Sequence, residues 1–188
     1  MREKKDSVWK RKRPTRPLRI VPTVEQFRAI VQSIREQEFA DTRNETADFV
    51  EAEGICGLGQ AELANLNWRD VNFDAGTIQV LRIKTKKPFS IPIYPQARPL
   101  LNRRLAITGS KPDNPVFTIK DGKVAVANAC RRLSFPAFSQ RSFRRMFVTE
   151  ALRKGVSVKI LADLQAPYGR RKTHLADLFR RDWRERPF

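Results

Sequence analysis

The sequence predicts an α+β domain, mainly helical, with one small antiparallel sheet near its first third. Three observations predict it. Apolar residues recur at helical spacing along most of the chain after Thr23. The period shortens to two only between residues 77 and 93. The composition, 40% apolar with twelve Phe and three Trp in 188 residues, supplies a core rather than a disordered basic polymer. A compact domain of about 150 residues buries roughly 70% of its unfolded surface, so the length suits one domain with a tail.

Each element has its own signal. Thr23 with Gln26 three residues later forms a capping box, and Phe27, Ile30, Val31 and Ile34 follow as one apolar face. A second helical run spans 44 to 58, with Phe49, Val50 and Ile55 inward, and is expected to break at Gly54, Gly57 and Gly59. A short helix over 60–67 comes next. After the turn Asp74-Ala75-Gly76, residues 77–83 alternate as a strand and 89–93 return, making a hairpin tipped by Lys84, Lys86 and Lys87. Pro95 can open a helix with Leu100, Leu101 and Leu105 on one face. Residues 116–119 read as a short extended piece. Further helices are expected over 123–133, 140–154 and 157–165, the last two parted by Gly155 as a C-terminal cap.

Charge narrows the partners. Lys and Arg number 38 against 20 Asp and Glu, a net +18. Residues 1–19 hold nine Lys or Arg, including Lys10, Arg11, Lys12 and Arg13, with Pro14 and Pro17, the composition of an extended arm. The expected organisation is therefore an arm (1–19), a folded domain (20–165) and a divergent basic tail (166–188). Positive charge clusters again at Arg82 to Lys87, at Arg131 and Arg132, and at Arg141, Arg144 and Arg145. Such a surface repels itself and is relieved by a polyanion through counterion release, so the expected partner is nucleic acid. No stretch approaches 18 apolar residues and the basic start lacks an apolar leader, so neither a membrane span nor export is expected, and the cytoplasm or nucleoid is the expected place. Two cysteines, Cys56 and Cys130, and the single His174 cannot assemble a usual zinc site; the cysteines read as small core residues and no metal or cofactor is expected.

Four strings, in order, resemble one family, the tyrosine recombinases or phage-type integrases, over about residues 20 to 165. They are Gly57-Leu58-Gly59-Gln60-Ala61-Glu62-Leu63; Leu66-Asn67-Trp68-Arg69-Asp70-Val71-Asn72-Phe73; Ile83-Lys84-Thr85-Lys86-Lys87 leading to Ile91-Pro92-Ile93; and Arg141-Ser142-Phe143-Arg144-Arg145-Met146-Phe147-Val148-Thr149, followed by Gly155-Val156. Each is weak alone, but their order and spacing together are specific. The resemblance implies phosphoryl transfer on double-stranded DNA. A tyrosine attacks the scissile phosphate, two arginines stabilise the charge that develops, and a lysine and histidines manage protons. Carried over position by position, Arg144 matches the second arginine and Lys84 the hairpin lysine. Arg141 stands where the family has its first histidine. Lys86, Lys87, Arg131, Arg132, Arg145 and the basic arm are the expected DNA-binding set.

The departures from the family pattern bear on activity. Its first arginine falls on Gly59, a proton-handling histidine on Pro167, and the nucleophilic tyrosine near Ala176 to Leu178. The chain's tyrosines are Tyr94, which reads as structural, and Tyr168, which lies some positions too early. Codons can be chosen for Thr173 to Phe179 whose next reading frame spells Leu-Ile-Leu-Arg-Thr-Tyr-Ser, a nucleophile-like segment, so a frame change could account for the tail. If the chain is a degenerate recombinase catalytic domain, the resemblance implies that the arm is the remnant of the linker that joins a helical core-binding domain to this one. Three functions follow from the resemblance: a mobile-element recombinase domain that grips DNA without cutting it; an active enzyme using Tyr168 or a tyrosine from another protomer, with Arg141 and Arg144 as phosphate clamp; or a non-enzymatic regulator that competes with an intact recombinase.

Overall fold

The computed structural model describes residues 20–38, 41–83 and 85–165. The basic arm, including Lys10 to Arg13, the hairpin Lys84, and Pro167, Tyr168, Ala176 and the rest of the tail lie outside the described residues. Seven helices and a three-stranded antiparallel sheet are described: α1 (Val24–Arg35), α2 (Arg43–Cys56), α3 (Gln60–Leu63), a 3₁₀ turn (Trp68–Asp70), β1 (Val71–Asn72), β2 (Thr77–Arg82), β3 (Lys87–Pro92), α4 (Ala97–Thr108), α5 (Lys123–Arg132), α6 (Gln140–Arg153) and α7 (Val158–Gln165). The sheet order is β1-β2-β3. In β2 and β3, Ile78 faces Ile91 and Val80 faces Phe89, which puts one apolar face on the helices.

The α1 capping box forms as the sequence predicts: Thr23 N–H donates to Gln26 Oε1 (3.0 Å) and Gln26 N–H to Thr23 Oγ1 (3.2 Å). The core has two lobes. One joins the sheet to α2, α4 and part of α6; the other lies between α1, α2, α5 and α6. Helix α2 belongs to both, with Phe49, Ala52 and Cys56 on the sheet side and Ala47 and Val50 on the helical side. A helix enclosed in this way cannot leave its acids in water, so they are paired. Asp48 (1% exposed) meets Arg35 of α1 at 3.0 Å and Arg103 of α4 at 2.7 Å. Glu45 meets Arg104, and Glu53 meets Gln140 of α6. Much of the acid of residues 43–62 is thus spent inside, while lysines and arginines remain on the surface.

Several elements differ from the sequence reading. Gly54 does not break α2 but lies inside it, because the Phe27 ring occupies the space a Cβ would need. The break comes at Gly57, which caps α2 in the left-handed region (φ 63°). The helix expected over 60–67 stops at Leu63 and is followed by the 3₁₀ turn. Strand β1, two residues long, is too short to show a period in the sequence. The piece at 116–119 joins no strand: an isolated bridge pairs Asn67 with Pro115, and Val116 N–H donates to Leu66 O (2.9 Å). Cys56 and Cys130 are free and buried, as expected of core residues, and burial pushes the Cys56 thiol up to about 12.

Gly54→Ala is expected to lower stability by up to about 2 kcal/mol. A gain of about 1 kcal/mol in helix propensity opposes overpacking against Phe27, which typically costs about 1–3 kcal/mol. Overpacking wins because the ring cannot retreat: it rests on Phe143 with centroids 5.1 Å apart. Urea denaturation of the two proteins measures the difference, and a stabilised variant would contradict the account.

Candidate functional site

Helix α6 divides its residues by period. Phe143, Met146, Phe147 and Ala151 are buried in the core, while Arg141, Arg144, Arg145, Val148 and Thr149 recur at helical spacing along an open groove. The groove, about 950 Å³, is closed on its other sides by Gly59 to Glu62 at the start of α3, by Arg82, Ile83 and Thr85 at the end of β2, and by Val21, Glu53 and Gln140. Its lining carries Arg82, Arg141, Arg144 and Arg145 against Glu53 and Glu62.

At its centre is the Glu62 carboxylate (9% exposed). Oε2 accepts from Gly59 N–H (2.8 Å) and from Arg144 Nη1 (2.9 Å), and Oε1 faces Arg82 Nε at 3.5 Å. The sequence folds this way locally because Gly57 turns the chain back after α2 and Glu62, at the third position of α3, reaches back to the Gly59 N–H. Gly57 has no room for a side chain, since its Cβ would lie 2.5 Å from Phe147 Cδ1. Gly59 has extended backbone (φ −87°, ψ 158°), and a Cβ there would lie 3.2 Å from Arg144 Nη1. The Arg144 guanidinium therefore rests directly over the Gly59 backbone. Arg82 packs over the Phe89 ring, 5.3 Å from its centroid. Desolvation and the like charge of Arg144 pull its pKa down against the opposing pull of Glu62.

Glu53 forms the groove's inner wall. It is 1% exposed and receives two contacts from Gln140 Nε2, 3.0 Å to each carboxylate oxygen. Burial raises its pKa to about 8, Gln140 opposes the shift, and Asp121 adds to it. At neutral pH the wall is therefore mostly protonated, and the four arginines dominate the groove's charge.

The structure places Arg141, Arg144 and Arg145 on one groove face. Lys86 and Lys87 are exposed at the tip of the hairpin, Lys86 in the turn and Lys87 at the start of β3. Arg131 and Arg132 do not line the groove: Arg131 bonds Asn128 within α5, and Arg132 donates to the Ser33 carbonyl (2.8 Å) and hydroxyl of α1. Tyr94 is structural as expected, 2% exposed and packed on Phe147 at 5.6 Å, and burial holds its hydroxyl far above the usual phenol value. The sequence reading missed Arg82, Glu62 and Glu53 as groove residues. Glu62 was visible as the acid of the second string's neighbour, Gly57 to Leu63, but nothing in the linear pattern pairs it with residue 82 or 144. Among the described residues no group of His, Cys, Asp or Glu could hold a metal, and no helix is long and apolar enough to cross a membrane.

Comparison with known proteins agrees with the order of strings. The model of the phage integrase family matches residues 22–166. A tyrosine recombinase of Pseudothermotoga lettingae is 26% identical over 117 residues, covering 58% of this chain and 41% of that protein, so the chain spans under half of that relative's length. Among solved structures, a lambda integrase dimer bound to a COC′ core site superposes with a TM-score of 0.65 at 16% identity, over 87% of this chain and 62% of that one. The Tn1549 transposon integrase in complex with transposon right end DNA gives 0.66 at 15% identity, over 91% and 67%. XerA recombinase gives 0.63 at 14% identity, over 94% and 67%. At these identities the structural likeness is one of fold.

Proposed function

From the premise that this chain belongs to the phage integrase family, we propose that it is a catalytic-domain homologue that grips duplex DNA in the arginine groove and does not cut it. The observation that carries the reading is the convergence of Arg82, Arg141, Arg144 and Arg145 on one groove about 950 Å³ in volume. Arginine guanidinium groups suit phosphate, because their planar donors meet two oxygens at once. Loss of cutting follows from what stands at the family positions. Gly59 has no side chain to contribute, and Tyr94 is sealed in the core. The remaining tyrosine, Tyr168, precedes the expected place of a nucleophile. Origin in a mobile element, and assembly with other recombinase protomers, are part of the same proposal; the lambda integrase found as a dimer and as a tetramer on DNA supports the latter by analogy. The basic arm, with Lys10 to Arg13, and the lysines Lys84, Lys86 and Lys87 in the sequence from the end of β2 to the start of β3 are assigned to the same DNA-binding set on their charge.

Fluorescence anisotropy with a labelled duplex tests the grip. Binding is expected at 50 mM salt and should weaken steeply as salt rises, with Arg144→Ala weaker by about 1–2 kcal/mol for a lost charge-assisted phosphate contact. Salt-insensitive binding, or none at 50 mM, overturns the proposal. A nicked suicide duplex tests cutting. No covalent adduct is expected, and an adduct that disappears in Tyr168→Phe establishes the active alternative, with Arg141 and Arg144 as clamp.

A further inference from the structure

The buried acids among the described residues are of two kinds. Asp48 meets Arg35 and Arg103, and Glu62 meets Arg144 and Arg82, so each carboxylate has two cations beside it. Glu53 is as deeply buried as Asp48 but has an amide instead: Gln140 Nε2 lies 3.0 Å from both of its oxygens, and among the described residues no arginine or lysine pairs with it. We propose that the Glu53–Gln140 pair is a proton site coupled to the groove: a duplex is held with Glu53 protonated, and the grip weakens as that carboxyl releases its proton to solvent. The inference rests on the DNA-gripping reading and deepens it by adding its regulation.

Position is the first reason. Glu53 and Gln140 form one wall of the groove that Arg141, Arg144 and Arg145 line from α6, so a bound phosphate and an ionised Glu53 would be like charges in one cavity. Burial is the second. A carboxylate taken out of water without a cation is costly, and holding a proton removes that cost. Hydrogen bonding is the third. Gln140 Oε1 is buried without a donor, and a carboxyl hydrogen is what the pair lacks when Glu53 is ionised.

The surrounding charges act in the same sense. Burial raises the Glu53 pKa to about 8, Gln140 opposes the rise, and Asp121, from the loop before α5, adds to it. At the groove's centre Glu62 is already engaged with Arg82 of β2 and Arg144 of α6. A phosphate arriving in the groove makes ionisation of Glu53 harder still. Linkage is reciprocal, so an ionised Glu53 lowers phosphate affinity by the same factor. Affinity is therefore level where Glu53 is protonated in both free and bound protein, and it falls as pH climbs through about 8.

The experiment uses the full 188-residue chain, wild type and Glu53→Gln, with a labelled duplex at 50 mM salt from pH 6.5 to 9. Thermal melts verify folding at each pH. Glu53→Met, which also cannot titrate, takes the place of the glutamine variant if that one fails to fold. The ratio of wild-type to variant affinity is expected to drop about three- to fivefold across the range, as follows from a shift of roughly half to one pKa unit on binding. Both proteins share every other titrating group, so the ratio reports Glu53 alone. A merely structural Glu53 changes the ratio by the same factor at every pH. Calorimetry at pH 8 in Tris and in HEPES supplies a second readout, in which the wild type takes up a larger fraction of a proton on binding than the variant does. A ratio that is constant or rises with pH, or equal proton uptake by the two proteins, overturns this inference and leaves the DNA-gripping reading intact. A wild type that fails to bind at pH 6.5 and 50 mM salt overturns both.

Discussion

Glu53→Gln is expected to stabilise the protein increasingly as pH rises from about 4.5 to 8, by a few kcal/mol across the window. The carboxyl of Glu53 has a folded pKa raised to about 8 from 4.5. Between those values the folded chain holds a proton that the unfolded chain has released, so folding stability is full below the lower value and is lost as pH climbs through the upper one. The variant cannot titrate, and the gap between the two proteins should widen by roughly 1 kcal/mol per pH unit. A hydrogen-bonding argument points the same way. Gln140 Nε2 donates to both Glu53 oxygens, while the buried Gln140 Oε1 is left without a donor. A protonated carboxyl, or the amide of the variant, brings a hydrogen to that part of the core where the carboxylate brings none. Guanidinium denaturation at pH 5, 6.5 and 8 measures the gap. A difference that stays constant with pH shows that Glu53 titrates normally and that its surroundings are wetter than the structure describes.

Arg104→Ala is expected to cost about 3–5 kcal/mol, because it strips one partner from a buried ion pair. Arg104 is 2% exposed, donates through Nη2 to Glu45 Oε1 (2.7 Å) and through Nε to the Val116 carbonyl (3.1 Å), and lies over the Phe117 ring at 5.4 Å. Glu45 also accepts from the Thr118 hydroxyl (2.7 Å). One arginine thus ties α2, α4 and the irregular segment 116–118 together, which explains how that segment is held without a strand. Alanine leaves the part-buried Glu45 carboxylate (14% exposed) without its cation and the Val116 carbonyl without its donor. The paired variant Arg104→Met/Glu45→Gln removes both charges and keeps most of the volume, and it should lose markedly less than Arg104→Ala. Equal losses in the two proteins would show that packing around Phe117, rather than the ion pair, carries the energy.

The helices were legible in the sequence wherever one face alone is buried. Helix α1 is the clearest case: Phe27, Ile30, Val31 and Ile34 mark a single stripe and Thr23 marks its start. Helix α6 was legible for the same reason, and its arginines could be assigned to one face by counting. Helix α2 was harder, because both of its faces are covered and its polar residues point inward to partners on other elements. Gly54 misled because a glycine that admits a neighbouring ring and a glycine that ends a helix are the same letter. Phe27, which decides between them, stands 27 residues away.

The candidate site was legible in part. Arg144 and Arg141 were found through the string they sit in, and the loss at Gly59 through its neighbours in the first string. Arg82 was counted only as one more charge near the hairpin, and Glu53 was not singled out. Neither role has a local signature, since a carboxylate's pKa depends on what surrounds it and an arginine's task on what it faces.

The sequence by itself determined the class of fold, the two-period hairpin, the helical face that carries Arg141, Arg144 and Arg145, and the family strings, because each is set by residues within a few turns of one another. Only the tertiary structure decided that residues 59, 62, 82 and 144 meet at one carboxylate, that Arg132 grips α1, and that Glu53 keeps its proton near neutral pH. The physical reason is that charge interaction and desolvation act through space, over distances set by how β2, α3 and α6 pack, and sequence separation does not measure those distances.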